Sequence, residues 1–268
     1  MEMAGLDILV QFYEQVDILL LIFVRVIAFL SVLPAVSHRH MMVTVRVFFA
    51  LSISVALFMS GVVTSVTYVD TPAGYVFLIL QEFLVGTIMA FVVFSVYNLV
   101  YFTGQIIDFQ IGLAMVNVLD PMTQIQVPIV GNLLYFVMIA LLVASGGLHL
   151  LFGAFFHSYA VLPIGMGVVL GNQGIAWYMT LLLVDSIILA VRISMPVLGA
   201  MMIINAALGI MVKTVPQMNI FVVGLPIKLL VGLILLYLVM TPAAATIHRH
   251  VFELAYNAMS EVMWGMRP

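Results

Sequence analysis

The sequence predicts an all-α integral membrane protein with six or seven apolar helices, several of them kinked or broken. Hydrophobic residues make up 65% of the 268 positions and charged residues only 7%, which lies outside the range of soluble domains. Residues 121–184 contain no Asp, Glu, Lys or Arg. A spanning helix needs about 20 apolar residues, so this stretch alone can hold two or three. We therefore expect a single polytopic membrane domain over residues 1–268.

The apolar segments follow one another along the chain and are separated by helix-breaking residues. They cover residues 18–36, 47–69, 75–102, 129–151, 175–212 and 220–247. Residues 70–74 carry a turn signal, and residues 163–174 are rich in glycine. Four prolines, which cannot complete the hydrogen bonding of a helix, lie in or beside the later segments: Pro196, Pro216, Pro226 and Pro242. Several helices are therefore expected to be kinked or discontinuous.

The charge distribution predicts an odd number of membrane crossings. The acidic N-terminal residues contrast with a first connection that contains His38, Arg39, His40 and Arg46. By the positive-inside rule this connection faces the cytoplasm and the N-terminus faces outward. Basic residues at 248–250 place the last residues in the cytoplasm too. Because six full crossings cannot join these two ends, we expect a re-entrant or broken segment.

The sequence shows no pattern typical of an enzyme. It contains no GxSxG nucleophile motif, no GxxxxGK phosphate loop and no HExxH zinc motif. The absence of cysteine excludes disulfides and Cys-based metal sites. His149 and His157, eight residues apart, lack the spacing of metal ligands on a helix. We therefore predict no enzymatic activity, no catalytic residue, no cofactor and no metal.

Charged residues inside the apolar regions are the clearest candidates for function. They are Arg25, Arg46, Glu82, Asp108, Asp120, Asp185, Arg192, Lys213 and Lys228. Each would cost roughly 3 kcal/mol in lipid on insertion scales, so they must face protein, water or each other. Asp185 and Arg192 share a helix face, but about 10 Å of helix separates them, so each needs another partner.

Two interpretations of these charges stay open from spacing alone. Arg25 and Arg46 either extend to the membrane interface or take part in buried contacts between subunits. Glu82, Asp108 and Asp185 either form structural pairs or belong to a proton or ion relay of the kind found in transporters.

Eight short motifs, in order along nearly the whole chain, resemble the FliR family of type III export-gate proteins. They are Phe23-Val24-Arg25, Gly104 to Asp108, Gly112-Leu113 through Asp120-Pro121, Gly147-Leu148-His149, Leu162-Pro163-Ile164-Gly165, Arg192-Ile193-Ser194-Met195-Pro196, Pro216-Gln217-Met218-Asn219 and Gly224-Leu225-Pro226-Ile227-Lys228. The last two resemble the flagellar branch more than the virulence-injectisome branch.

The resemblance implies a conduit assembled from several subunits. FliP and FliQ would form with this chain a helical, pore-forming gate, with FlhB packed around its cytoplasmic side. The gate would lie in the inner membrane within the flagellar basal body and export unfolded proteins. Residues 1–185 would be a FliP-like part, and residues 186–268 a FliQ-like helical hairpin with a cytoplasmic tail. The alternatives are the equivalent injectisome subunit or, with less support, a secondary transporter.

The resemblance also implies three groups of site residues. The pore loop or plug consists of Met115, Val118 and Leu119. The loop is anchored by Gly104, Asp108, Gly112, Asp120 and Pro121. The subunit interface contains Arg25, Glu82, Asp185, Arg192, Pro216, Asn219, Pro226 and Lys228. Family members often have phenylalanines in the plug, whereas this chain has smaller apolar residues, so we expect a constriction without an aromatic seal.

Overall fold

The computed structural model describes residues 2–34, 42–61, 71–113, 128–165, 173–215 and 219–267. These ranges are almost entirely helical and contain no strand, which confirms the predicted all-α class. Their elements are α1 (Glu2–Val32), α2 (Val43–Met59), α3 (Pro72–Ile111), α4 (Ile129–Ala144), α5 (Gly147–Val161), α6 (Gln173–Thr214), α7 (Ile220–Thr246), a π-helical turn (Ile247–Val251) and α8 (Phe252–Gly265).

Four of the described helices are long and apolar enough to cross a membrane. They contain the windows Gln15–Val32, Pro72–Ile111, Gly174–Thr214 and Val222–Thr246. Helices α4 and α5 form a bent pair that brings the number to five if it counts as one span. The 17-residue α2 is apolar but shorter. The seven helices α1 to α7 thus match the predicted number of apolar helices, but not all of them are full-length spans.

The predicted apolar segment 129–151 is broken into two helices, because the chain turns inside it. Helix α4 ends at Ala144, and Gly146 adopts a φ of +72°. Glycine reaches this left-handed conformation without the steric cost that a Cβ imposes, so it commonly ends helices. A broken segment of this kind is what the charge distribution predicts. Helices α6 and α7, in contrast, continue through Pro196, Pro226 and Pro242.

The chain divides into two compact units, and each is described by itself. Unit 1 comprises Met1–Ser95, His149–Leu182 and Ala255–Pro268. Its core contains Phe29 of α1, whose ring stacks on Phe155 of α5 with centroids 4.3 Å apart. A methyl group built on Gly86 of α3 would overlap the backbone oxygen of Arg25, so α1 and α3 cross there at backbone distance.

Unit 2 comprises Val96–Leu148 and Leu183–Leu254. It contains the second half of α3, helix α4, most of α6, and α7 with the π-helical turn. Helix α4 packs on both α7 and that turn. The buried residues of α4 are Val130, Gly131, Leu134, Met138 and Leu142, which recur at the helical spacing of a single face. The end of α3 and the start of α4 meet in this unit.

Candidate functional site

The carboxylate of Asp108 binds the first turn of α4. Both of its oxygens accept the backbone N–H of Val130, at 3.0 and 3.1 Å, and Oδ2 also accepts the N–H of Gly131, at 3.2 Å. The first N–H groups of a helix have no partner inside the helix, and the helix dipole makes this end positive. An ionised carboxylate therefore satisfies both the hydrogen bonds and the charge. Asp108 is 3% exposed, so water does not compete for these donors.

The local sequence explains why α3 ends just after this carboxylate. Gly112 has a φ of +93°, and its N–H donates to the backbone oxygen of Asp108 at 3.2 Å. This is the usual glycine termination of an α-helix. Helix α4 begins just after Pro128. Proline has no backbone N–H, so at the start of a helix it adds no N–H group that lacks a partner. The two helix ends thus leave Asp108 facing free N–H groups.

Two glycines allow α3 and α4 to approach closely beside this carboxylate. A methyl group built on Gly104 would overlap the Cα and N atoms of Gly131. Gly104 lies one helical turn before Asp108, so both residues sit on the same face of α3. The close crossing brings the Asp108 carboxylate within hydrogen-bonding distance of α4.

Helix α7 packs against the end of α3 in the same unit. A Cβ built on Gly232 would lie 2.6 Å from Cγ1 of Ile111, and one built on Gly112 would lie 3.1 Å from Cδ1 of Leu225. Together, Asp108, Gly104, Gly112 and the first turn of α4 form what we call the loop base. Its contact between Asp108 and Val130 joins positions 22 residues apart, and residues 114–127 lie between them in the sequence.

Part of the predicted site lies outside the described residues. The plug residues Met115, Val118 and Leu119, the anchors Asp120 and Pro121, and the interface residue Pro216 all belong to that part. Of the predicted anchors, Gly104, Asp108 and Gly112 meet at the loop base.

Arg25 and Glu82, predicted at the subunit interface, are instead buried inside unit 1 and bound to each other. Arg25 Nε donates to Glu82 Oε2 at 2.5 Å, and the exposed fractions of the two side chains are 1% and 4%. Both terminal nitrogens of Arg25 donate to the backbone oxygen of Leu162, each at 3.1 Å. The guanidinium also lies 4.4 Å from the centroid of the Tyr159 ring. The two charges are therefore neutralised within the chain.

Comparison with known proteins identifies the family of this chain. The sequence profile of the bacterial export proteins, family 1, matches residues 16–254. The chain belongs to this family.

Proteins similar to this chain include flagellar and translocation proteins. The flagellar biosynthetic protein FliR of Bacillus subtilis (strain 168) is 29% identical over 245 residues, which cover 91% of this chain and 93% of that protein. FliR of Escherichia coli (strain K12) is 26% identical over 244 residues, covering 89% and 90%. The Yop proteins translocation protein T of Yersinia pestis is 26% identical over 184 residues, covering 68% and 70%. This member of the export family is a multi-pass protein of the bacterial inner membrane.

The remaining described interface residues of this export protein lie on α6, on α7 or just before α7. Asp185 and Arg192 are exposed on α6, and within the described part of the chain neither takes part in an ion pair. Pro226 is exposed and Lys228 is half-buried on α7. Asn219 precedes α7, where its backbone oxygen accepts the N–H groups of Val222 and Val223.

Sequence reasoning missed several residues that complete these two sites. At the loop base they are Val130 and Gly131, and near Arg25 they are Tyr159 and Leu162. Their contributions are backbone atoms and a ring face, which leave no charge signal in the sequence. Only Pro128, at the start of an apolar segment, could have indicated a helix start with free N–H groups.

Proposed function

We propose that this chain is a core subunit of the flagellar type III protein export gate. Together with FliP and FliQ it forms a pore through which unfolded flagellar subunits leave the cell, and FlhB packs on its cytoplasmic side. Family membership and the near full-length similarity to two FliR proteins support this assignment. In this role the chain is a conduit, not a catalyst.

The observation on which the proposal rests is the hydrogen bonding of Asp108 to the first turn of α4. It ties together the two helices that flank residues 114–127, the segment with the predicted plug residues. Closing a loop of about 22 residues costs roughly 3 kcal/mol of chain entropy, which two charge-assisted hydrogen bonds can offset. A tied base holds together the two helices to which this segment is attached. Met115, Val118 and Leu119 then form an apolar constriction that excludes water and ions until a substrate displaces it.

Charges that have no ion-pair partner among the described residues, on exposed apolar helices, support assembly with other subunits. Only 17% of the apolar window of α7 and 33% of that of α6 is buried, against 50% for α3. Asp185 and Arg192 lie on this exposed surface, and lipid would impose a cost of roughly 3 kcal/mol on each. Neighbouring subunits that supply opposite charges remove this cost, so we assign Asp185, Arg192, Asn219, Pro226 and Lys228 to the interface.

The lengths of α3 and α6 fit a gate that extends beyond the bilayer. They contain 40 and 42 residues, which correspond to about 60 Å of helix each. The hydrocarbon core of a bilayer is about 30 Å thick. We propose that residues 1–185 form the FliP-like part and residues 186–268 the FliQ-like hairpin, with much of the assembly above the membrane.

The plug is tested by removing its side chains. The double variant Met115→Gly and Val118→Gly should increase ion leak in cells that express the full gate, because glycines cannot form a dry constriction. The matched control is Met42→Gly with Val215→Gly, which removes one Met and one Val side chain at exposed positions outside the described helices. An unchanged leak in the plug variant, at equal expression, would contradict the plug.

Assembly is tested by native mass spectrometry of the detergent-extracted protein, alone and with its FliP and FliQ homologues. A stable mixed complex is the expected result. A monomer or homodimer that ignores both homologues would contradict the gate and favour a secondary transporter.

An injectisome subunit is the second candidate, because a Yop translocation protein is among the relatives. The match to FliR of Bacillus subtilis covers more of both chains. We expect this chain to restore swimming in a flagellated host that lacks FliR. Restored injectisome secretion without swimming would favour the second candidate.

A further inference from the structure

The end of α5 in unit 1 is capped by two arginines that come from distant parts of the chain. The last carbonyl groups of a helix have no partner inside the helix. The oxygen of Leu162 accepts two N–H groups from Arg25 of α1, as described above. The oxygen of Val161 accepts Nε of Arg267 at 3.1 Å, across 106 residues. Two consecutive free carbonyls are thus satisfied by two positive charges, which the negative end of a helix dipole also favours.

Arg267 is oriented by the helix that precedes it. Its guanidinium lies 4.1 Å from the centroid of the Trp264 ring of α8, which is a cation–π contact. Trp264 is itself 57% exposed, so its ring is not needed to fill the core. Its contact with Arg267 therefore restricts the arginine to the orientation that meets Val161.

Most of helix α8 belongs to unit 1, where one apolar face of the helix is buried. Its buried residues are Ala255, Ala258, Met259, Val262 and Met263, and Met266 follows them. Glu253 and Glu261 lie on the exposed face. A Cβ built on Gly265 would lie 3.1 Å from the ring of Tyr178, so the end of α8 meets the start of α6 at close range. The sequence analysis predicts a cytoplasmic tail for these last residues but does not predict that they pack against other helices.

We propose that α8 and Arg267 form a clasp that positions the end of α5. Docking of the apolar face of α8 presents Arg267 to Val161. The resulting cap holds residues 161–164, including the buried Ile164, in place. Opening of the clasp frees this end of α5 locally while the rest of the chain stays folded. The position of α5 therefore depends on a helix about a hundred residues further along the sequence.

The absence of cysteine from the chain allows a direct test by single-cysteine labelling in the detergent-extracted full chain. Reporter cysteines replace Ile164 or Met263, which are 1% exposed, and Met138 of α4 in unit 2, which is 0% exposed. A cysteine at the exposed Glu261 sets the maximal rate of reaction with a maleimide. Each reporter is combined with Arg267, R267A or R267K.

The proposed clasp predicts that replacing Arg267 changes maleimide labelling only near the clasp. Loss of a charged hydrogen-bond donor increases local opening by roughly tenfold or more, so R267A should raise labelling at Ile164→Cys and Met263→Cys by that factor. Labelling at Met138→Cys should not change. R267K should restore most of the protection at Ile164→Cys, because an ammonium group still donates to a carbonyl.

Two results would overturn the proposal. One is protection at Ile164→Cys that is identical in the Arg267 and R267A backgrounds. The other is an equal rise at Met138→Cys, which would mean that R267A loosens the whole protein. If R267A does not yield folded protein, W264A replaces it, since this change removes the ring contact and keeps the guanidinium. The same local pattern with a smaller rise is then expected, and unchanged protection at Ile164→Cys would again refute the clasp.

Discussion

The side chain of Asp108 accepts the N–H groups of Val130 and Gly131 and so protects these two amides against hydrogen exchange. They belong to the first turn of α4, whose N–H groups have no partner within the helix. Asn132, by comparison, donates to the backbone oxygen of Pro128 at 3.0 Å. Replacing Asp108 therefore changes two amides and leaves their neighbour as an internal reference.

The size of the effect follows from the three contacts. Asp108→Ala leaves two buried N–H groups unsatisfied, at about 1–3 kcal/mol each. It also removes the attraction between the carboxylate and the helix N-terminus, about 0.3–2 kcal/mol. The total is roughly 2–8 kcal/mol, a large fraction of a net stability of about 5–15 kcal/mol. Asp108→Asn keeps one acceptor oxygen but loses the charge, so we expect roughly 1–2 kcal/mol.

The assay is hydrogen–deuterium exchange of the detergent-extracted protein, read by mass spectrometry on peptides that cover residues 129–132. Since 1.36 kcal/mol corresponds to a factor of ten, exchange should rise roughly thirtyfold or more in Asp108→Ala and about five- to thirtyfold in Asp108→Asn. The matched control is Asp185→Asn, an exposed carboxylate on α6. It should leave these peptides unchanged.

One result would refute this reasoning. If Asp108→Ala exchanged at the wild-type rate over residues 129–132, the amides would be protected by something other than this carboxylate. The loop base would then not be held by Asp108. A uniform increase over all peptides, including those of α5, would show general unfolding in place of a local release.

Three further changes test other parts of the structure by thermal unfolding in detergent. G104A should destabilise the protein because its Cβ overlaps the backbone of α4, whereas G199A, with open space around its Cβ, should be neutral or stabilise by about 0.5–1 kcal/mol. Equal effects of the two changes would contradict the close crossing of α3 and α4. Removing only Arg25 or only Glu82 should cost about 3–5 kcal/mol, and replacing both by apolar residues should cost less than either single change; additive losses would argue against a buried pair. G146A should destabilise by about 1–2 kcal/mol through its φ of +72° alone, since nothing lies within 4 Å of its Cβ; an unchanged melting temperature would contradict that conformation.

The break between α4 and α5 shows how well local sequence patterns predict where helices end. The run Ser145-Gly146-Gly147 carries a turn signal, although residues 129–151 are apolar on both sides of it. At the prolines the expected discontinuities are missing, since α6 and α7 continue through them. Hydrocarbon-like surroundings favour helices even across a proline, because no water is present to satisfy an opened backbone.

The loop base was identified in part from the sequence. Gly104, Asp108 and Gly112 belong to one run of α3, so a motif could mark them together. Their partners could not be inferred in the same way, because Val130 and Gly131 contribute backbone N–H groups that every residue but proline possesses. The interior charges posed a similar problem, since nothing in their order along the chain indicated that Arg25 meets Glu82.

The sequence by itself determined the all-α membrane class, the approximate positions of the helices and the family. These properties depend on the composition and on the order of short motifs along the chain. Both can be read without knowing which residues are in contact. Only the tertiary structure decided that Arg25 pairs with Glu82, that Asp108 holds the start of α4, and that Arg267 caps α5. Each of these contacts joins residues at least 20 positions apart, and each depends on which helix faces meet in space.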